Sequence, residues 1–389
     1  MGRKDHARSW DWAEGLIDAH ELASVTMRSA RYISAAVALT VSFAAAPAFS
    51  QAQDALETMT LREKVGQLVM FSVDGLSLSD TERELIRRHH LGGVILFSKN
   101  YDDREQVTAL NRAIQKAVRS GSSGIGALIS VDQEGGVVKR FPDMAPWHSA
   151  PEIGAAEDDS LALREGRLTG RALSSVGVNV DLAPVADLDL PPEHVMRSRS
   201  FGSSPRRVGN LVRDFARGLQ QNRVVAAAKH FPGLGGATVN SDFGRAYVYR
   251  NKWKLHNIDV TPFDKAVAGG ARMVMVSHGI YVKDGGKRPA SINRYIAVGR
   301  LRKEVGFTGV AISDALEAIA WRFGGETAHA CRATVWAGVD IALITGNVHA
   351  ARSCASEIVA AVNAGTIPRR RLDAAVLRVL QLKRWLGLL

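Results

Sequence analysis

Cysteine is scarce in this sequence: 389 residues contain two, and neither lies directly after the apolar stretch near the N-terminus. The absence of a cysteine after that stretch excludes a lipoprotein anchor. The two cysteines, Cys331 and Cys354, both fall in helix-like segments. They could pair in an oxidising periplasm, and two ordinary buried thiols are the alternative.

Long apolar runs are also missing. The stretch ISAAVALTVSFAAA, residues 33–46, is too short to span a bilayer. A basic segment beginning at Met27 precedes it and small residues follow it, which predicts a signal peptide over residues 27–52. Residues 1–26 are then an upstream extension, and we expect translation to start at Met27. The mature protein is expected to be periplasmic or secreted, without a stable membrane anchor, and a buried apolar helix is the alternative.

Acidic residues are outnumbered, since 50 Lys and Arg stand against 39 Asp and Glu and give a net charge of +11. This balance favours acidic polymers or anionic envelope surfaces as neighbours. The basic residues are scattered, and the one tight run, Arg369 to Arg371, is interpreted as a solvated helix face. No nucleic-acid-binding motif occurs, so nucleic acid is not expected as a partner.

Eight continuous apolar runs alternate with amphipathic helical stretches after the signal segment. Continuous runs are typical of parallel strands that are buried on both faces. Eight β-then-α units predict an α/β fold, a (β/α)8 TIM barrel. No short repeat, low-complexity segment or linker divides the chain, so residues 53–389 are predicted to form one catalytic domain. The runs are 65–73, 91–97, 126–132, 176–185, 224–231, 271–278, 308–314 and 338–345.

Four of these runs end in polar residues, and the C-terminal strand ends of such barrels carry the active site. A carboxylate such as Asp314, which ends the seventh run, could attack an electrophilic carbon. Arg199 and Lys229 could donate hydrogen bonds to a ligand's hydroxyl or carbonyl oxygens. Gly135 and Gly136 permit a tight turn with positive φ. The polar ends are Asp132, Lys229-His230, Ser277-His278 and Ser313-Asp314.

The motifs VDQEGGVVKRF, VNVDLAPVADL, RSFG, KHFPGLG, ISDAL and AGVDIALI occur in this order over residues 55–389. Together they resemble glycoside hydrolase family 3, in its single-domain β-N-acetylhexosaminidase branch. The resemblance implies a TIM barrel and a retaining two-step hydrolysis, and we expect neither a cofactor nor a metal. It also implies a carbohydrate substrate, namely terminal β-linked N-acetylglucosamine on peptidoglycan- or chitin-type fragments. By the same resemblance Asp314 is the nucleophile, and the residues that hold the sugar are Asp132, Arg140, Arg199, Lys229 and His230.

The sequence departs from that branch in the loop that carries the acid/base. The branch typically has Asp-Ser-His there, whereas this chain has Asn240-Ser241-Asp242; Leu234 and Ser198 are further departures. Asp242 is the nearest remaining proton-transfer group, and Asn240 could orient it. Three interpretations stay open: Asp242 is the acid/base, another acid serves, or the chain is a sugar-binding pseudoenzyme. A β-glucosidase of the same family is the alternative enzyme.

Overall fold

Eight parallel strands, β1 to β8, form the centre of the fold. The computed structural model describes residues 51–389, so the predicted extension and the signal peptide up to residue 50 lie outside the described residues. Each predicted apolar run contains one strand. The strands are β1 Val69–Ser72, β2 Gly93–Leu96, β3 Leu128–Val131, β4 Val180–Asp181, β5 Val225–Phe231, β6 Met273–Val276, β7 Val310–Ser313 and β8 Ala342–Leu343.

The strands pair in sequence order from β1 to β7, and β8 pairs with β1. A parallel bridge between Ile312 and Ile341 brings the end of β7 next to the start of β8 and closes the ring. Every residue of β1, β2, β3, β6 and β7 is buried, as expected for strands that lie between a barrel interior and a surrounding layer of helices. The predicted TIM barrel is confirmed.

Helices surround this barrel and follow each strand. The helix at 104–121 shows why they form: Asp103 accepts a hydrogen bond from the backbone N–H of Gln106, and one stripe of the helix is buried. The main helices are Leu61–Gly66, Asp80–His89, Arg104–Gly121, Ala150–Ala155, Leu161–Ser175, Pro205–Gln220, Thr261–Ala268, Thr327–Ala337, Val348–Asn363 and Arg369–Trp385, with a π-helix at Tyr295–Glu304 and a 3-10 helix at Leu316–Phe323.

The C-terminal helix corrects one expectation about the basic run. Arg369 and Arg370 are exposed, but Arg371 turns inward, and its Nη2 donates to the carbonyl oxygen of Val339 at 2.5 Å. Its Nη1 lies 3.3 Å from Oδ1 of the fully buried Asp340. Arg371 turns inward because the buried carboxylate of Asp340 requires cationic partners. Its contacts join the C-terminal helix to the segment before β8.

The two cysteines form a disulfide, with their Cα atoms 5.7 Å apart. The bond joins helix 327–337 to helix 348–363, which lie before and after β8. The alternative of two buried thiols is therefore wrong.

The described part of the chain from Ala52 to Leu389 is one compact unit. No helix within residues 51–389 combines the length and the apolar character that crossing a bilayer requires.

Candidate active site

A cavity of about 220 Å³ opens at the C-terminal ends of the barrel strands. Its wall contains seven of the eight residues that the sequence singled out, and Asn240 is the one that does not line it. These residues come from five different segments of the chain, which barrel closure brings together. The seven are Asp132, Arg140, Arg199, Lys229, His230, Asp242 and Asp314.

A tight turn after β3 carries the first group of site residues. Strands Gln133–Gly135 and Val138–Lys139 form a short antiparallel hairpin. Gly135 and Gly136 have φ values of 90° and 59°, which confirms the predicted positive-φ turn. The hairpin places Glu134 in the cavity wall beside Asp132.

Lys229 lies at the centre of a buried charge cluster. Its Nζ is 2.6 Å from Oδ1 of Asp132 and 2.7 Å from Oε1 of Glu134. Burial opposes the charge on Lys229, but these two carboxylates outweigh burial and raise the pKa of the ammonium group. Arg140 extends the cluster, since its Nη2 lies 3.7 Å from Oδ2 of Asp132. Lys229, near the C-terminal end of β5, is therefore a fixed cation.

Glu134 is a site residue that the sequence reasoning missed. It accepts two hydrogen bonds from Arg199, to Oε2 from Nε at 2.9 Å and to Oε1 from Nη2 at 2.7 Å. Burial would raise the pKa of Glu134, but Lys229 and Arg199 lower it to about 2. The available signal was its position in the DQEGG motif, two residues after Asp132.

Glu134→Gln should lower the free energy of unfolding at pH 7 by about 3 kcal/mol, the value of the shift from 4.5 to about 2. Because the pKa of Glu134 is lower in the folded protein than in the unfolded chain, its ionised form contributes its full stability at pH values above about 4.5. This contribution is lost as the pH falls towards about 2. The wild type should therefore lose about 2 kcal/mol between pH 5 and pH 3 that the variant does not lose. Urea unfolding at several pH values measures both effects.

The matched control for this prediction is Glu84→Gln. Glu84 pairs with Arg87 at 2.8 Å, but both side chains are about half exposed. Exposed pairs contribute little, so the change should stay under about 0.5 kcal/mol. Equal losses in the two variants would contradict the assignment of a stabilising buried cluster around Glu134.

Asp187 is a second residue that the sequence reasoning missed. It is fully buried, and its Oδ2 accepts from Nδ1 of His230 at 2.6 Å. Its Oδ1 accepts from the backbone N–H of Leu234 at 2.6 Å. The carboxylate therefore fixes the tautomer of His230 in which Nδ1 carries the hydrogen. The other ring nitrogen, Nε2, lies 3.5 Å from Nη2 of Arg199. Its signal was the VNVDLAPVADL motif, in which it follows β4.

The same contact explains how Leu234 fits a loop that typically has histidine there. The Leu234 side chain is fully buried in the core, and only its backbone N–H reaches Asp187. The residue therefore contributes to packing and to the position of the loop, and its side chain supplies no proton-transfer group.

Asp314 follows β7, and its surroundings favour the ionised form of its carboxyl. Burial would raise the pKa of this carboxyl, but His230 and His278, the backbone N–H of Ala315 and the Lys229 cation hold it below its ordinary value. Oδ1 accepts from that N–H at 2.8 Å. His278 in turn donates from Nε2 to the Ala315 carbonyl oxygen at 2.8 Å. An ionised, oriented carboxylate can attack an electrophilic carbon.

The loop after β5 carries the acid/base candidate. Asp242 is exposed at the rim of the cavity, on the wall that also contains Asp314. Asn240 accepts through Oδ1 from the backbone N–H of Asp242 at 3.1 Å, so it contacts the Asp242 backbone and not its carboxyl. Orientation of the Asp242 carboxyl by Asn240 stays a prediction, as do the catalytic roles of both residues.

Within residues 51–389, no cluster of three or more His, Cys, Asp or Glu side chains is arranged to hold a metal ion. The arrangement offers a partly buried carboxylate at Asp314, a rim carboxyl at Asp242, and a wall of fixed donors and acceptors. Such a wall can bind the hydroxyl groups of a sugar.

Comparisons with known proteins agree with this geometry. Residues 60–382 match the model of the glycosyl hydrolase family 3 N terminal domain. A beta-hexosaminidase of Thioalkalivibrio sulfidiphilus is 33% identical over 71% of this chain and 80% of its own length. One of Nitrosomonas eutropha is 34% identical with the same coverage.

Solved structures give the same result. A family 3 β-N-acetylglucosaminidase from Paenibacillus is 34% identical, with a TM-score of 0.80 over 85% of this chain. This chain spans 63% of the Paenibacillus protein's length. A β-N-acetylhexosaminidase from Beutenbergia cavernae is 28% identical, with a TM-score of 0.77 over 84% of this chain and 99% of that one. The chain described here belongs to glycoside hydrolase family 3.

Proposed function

We propose that this chain is a retaining, exo-acting β-N-acetylhexosaminidase that removes terminal N-acetylglucosamine from peptidoglycan- or chitin-type fragments. The observation that carries the proposal is the cavity whose wall contains Asp314 together with the paired charges of Asp132, Glu134, Arg199 and Lys229. Its volume of about 220 Å³ is below the roughly 300–1,000 Å³ of common ligand sites, which suits one terminal sugar. The names of the relatives support N-acetylglucosamine as that sugar.

The reaction would proceed in two steps. The Asp314 carboxylate attacks the anomeric carbon, while the Asp242 carboxyl gives its proton to the departing glycosidic oxygen. Water then attacks the same carbon, the Asp242 carboxylate takes its proton, and Asp314 is released.

A panel of nitrophenyl glycosides tests the proposal. The β-N-acetylglucosaminide should be hydrolysed, the β-glucoside much more slowly, and NMR of the first-formed product should show a retained β-anomer. Preference for the β-glucoside would favour the alternative enzyme of the same family. If no β-glycoside is hydrolysed while N-acetylglucosamine still binds, the chain is a sugar-binding pseudoenzyme.

We further propose that the protein is exported to the periplasm or secreted. Support comes from the signal-like segment over residues 27–52 and from the Cys331–Cys354 disulfide, since disulfides persist in oxidising compartments. N-terminal sequencing of exported protein should begin near Gln51 or Gln53. An intact Met1 in a purely cytoplasmic fraction would contradict export.

A further inference from the structure

A cation–π contact joins two segments that border the cavity. The guanidinium carbon of Arg245 lies 4.0 Å from the centroid of the Trp321 ring. Arg245 follows Asp242 on its loop, and Trp321 belongs to the segment that follows Asp314. The contact therefore links the loop that carries Asp242 to the side of the cavity that carries Asp314.

The base of the Asp242 loop is fixed by backbone hydrogen bonds. The N–H of Thr238 donates to the carbonyl oxygen of Tyr247 at 3.0 Å. The carbonyl oxygen of Ala246 accepts from the N–H of Ile280 at 2.8 Å. Residues 239–245 form the tip between these two anchors.

Within the tip, hydrogen bonding is internal. The N–H of Phe243 donates to the Asn240 carbonyl oxygen at 3.0 Å, and Asn240 Oδ1 accepts from the Asp242 N–H. In the part of the chain that the structure describes, no hydrogen bond or ion pair links a side chain of 239–245 to another segment. Val239 at the start of the tip packs against the core and Ser241 is buried. Nearer its end, the charged side chain of Arg245 contacts another segment through the stack on Trp321.

Trp321 provides a firm support for that contact. Its helix, Leu316–Phe323, has Leu316 and Ile319 buried in the core. Glu317 accepts hydrogen bonds from the backbone N–H groups of Thr345 at 3.0 Å and Gly346 at 2.9 Å, just after β8. The Trp321 ring is therefore carried by a segment that is tied to the barrel.

We propose that Arg245 and Trp321 are positioning residues that hold the Asp242 loop over the reaction centre. This inference rests on the proposed function. A general acid must lie within hydrogen-bond reach of the leaving oxygen, so any freedom of the tip lowers the fraction of molecules ready to transfer the proton. In this loop Asn240 holds only the backbone of Asp242, and the stack supplies a connection across the cavity.

The test compares Arg245→Ala and Trp321→Ala on two substrates. N,N′-diacetylchitobiose has a poor leaving group that needs protonation, whereas nitrophenyl N-acetylglucosaminide needs little. Each variant should lose about five-fold in kcat/KM on the disaccharide, the factor that an exposed cation–π contact allows. On the nitrophenyl substrate kcat/KM should stay within about two-fold.

Further variants separate positioning from general damage. The double variant should lose no more than either single one, because both remove the same contact. Arg245→Lys and Trp321→Phe should recover most of the disaccharide activity, since both keep a cation over an aromatic ring. The matched control is Arg272→Ala, which breaks a stack of 4.2 Å on Trp385 at the opposite end of the barrel, before β6. It should leave both substrates unaffected.

Equal losses on the two substrates, additive losses in the double variant, or an unchanged rate on the disaccharide would each overturn the inference. If the wild type hydrolyses neither substrate, the proposed function fails and the inference fails with it. If the wild type is active and the variants match it, only the positioning role fails.

Discussion

Asp314→Ala is expected to reduce turnover of every β-glycoside by several powers of ten while the fold is kept. The carboxylate follows β7 in the cavity wall, and its surroundings favour the ionised form. On the proposed mechanism, no glycosyl-enzyme can form without this carboxylate. Steady-state rates with the nitrophenyl substrate measure the loss, and circular dichroism with thermal melting checks the fold.

A fluorinated-sugar inactivator provides the second measurement for Asp314. Such a reagent slows the second step, so the glycosyl-enzyme accumulates, and mass spectrometry of peptides should locate the sugar on Asp314. Residual activity above about a tenth of the wild-type rate would contradict a covalent nucleophile. Labelling of another carboxylate would identify that residue, and not Asp314, as the nucleophile.

Asp242→Ala is expected to separate substrates by their leaving groups. On N,N′-diacetylchitobiose kcat/KM should fall by about 10²- to 10⁴-fold, because proton donation to the leaving oxygen is lost. On the nitrophenyl substrate kcat/KM should change little. Its kcat and KM should fall together, because the second step loses its base and the glycosyl-enzyme accumulates.

Azide should partly rescue the Asp242→Ala variant on the nitrophenyl substrate and give a β-glycosyl azide. A small anion needs no general base, and the charge that would repel it is gone. The control is Asp102→Ala, another exposed aspartate outside the cavity wall, which should leave both substrates unaffected. Equal losses on both leaving groups would refute the acid role and favour an acid from elsewhere on the chain.

The same carboxylate should disfavour phosphate as the acceptor. In the second step it is negative, and like charges at about 4 Å with an effective dielectric near 20 repel by about 4 kcal/mol. Lys229 would offset little of this repulsion, because its ammonium group is already paired with Asp132 and Glu134. We therefore expect free N-acetylglucosamine as the product in phosphate buffer. A sugar 1-phosphate as the main product would refute the argument.

The barrel could be predicted from sequence because its signal is local. A strand buried on both faces must be apolar along its whole length, and eight such runs, separated by amphipathic helices, leave few other architectures. The strands are shorter than the runs: β4, for example, covers Val180–Asp181 within the run 176–185. Apolar residues beyond the end of a strand are also buried in the barrel, although they form no hydrogen bonds with a neighbouring strand. Hydropathy does not distinguish these residues from residues within the strand.

The sequence by itself also determined which polar residues end the strands, and hence most of the cavity wall. Only the tertiary structure decided how those charges pair. Lys229 meets Asp132 across 97 residues, and Asp187 meets His230 across 43. It also decided that Cys331 pairs with Cys354, that Arg371 points inward, and that Arg245 stacks on Trp321. Hydrophobic patterning reflects each residue's own burial, whereas a charge pair or a stack depends on which strand ends become neighbours once the barrel closes.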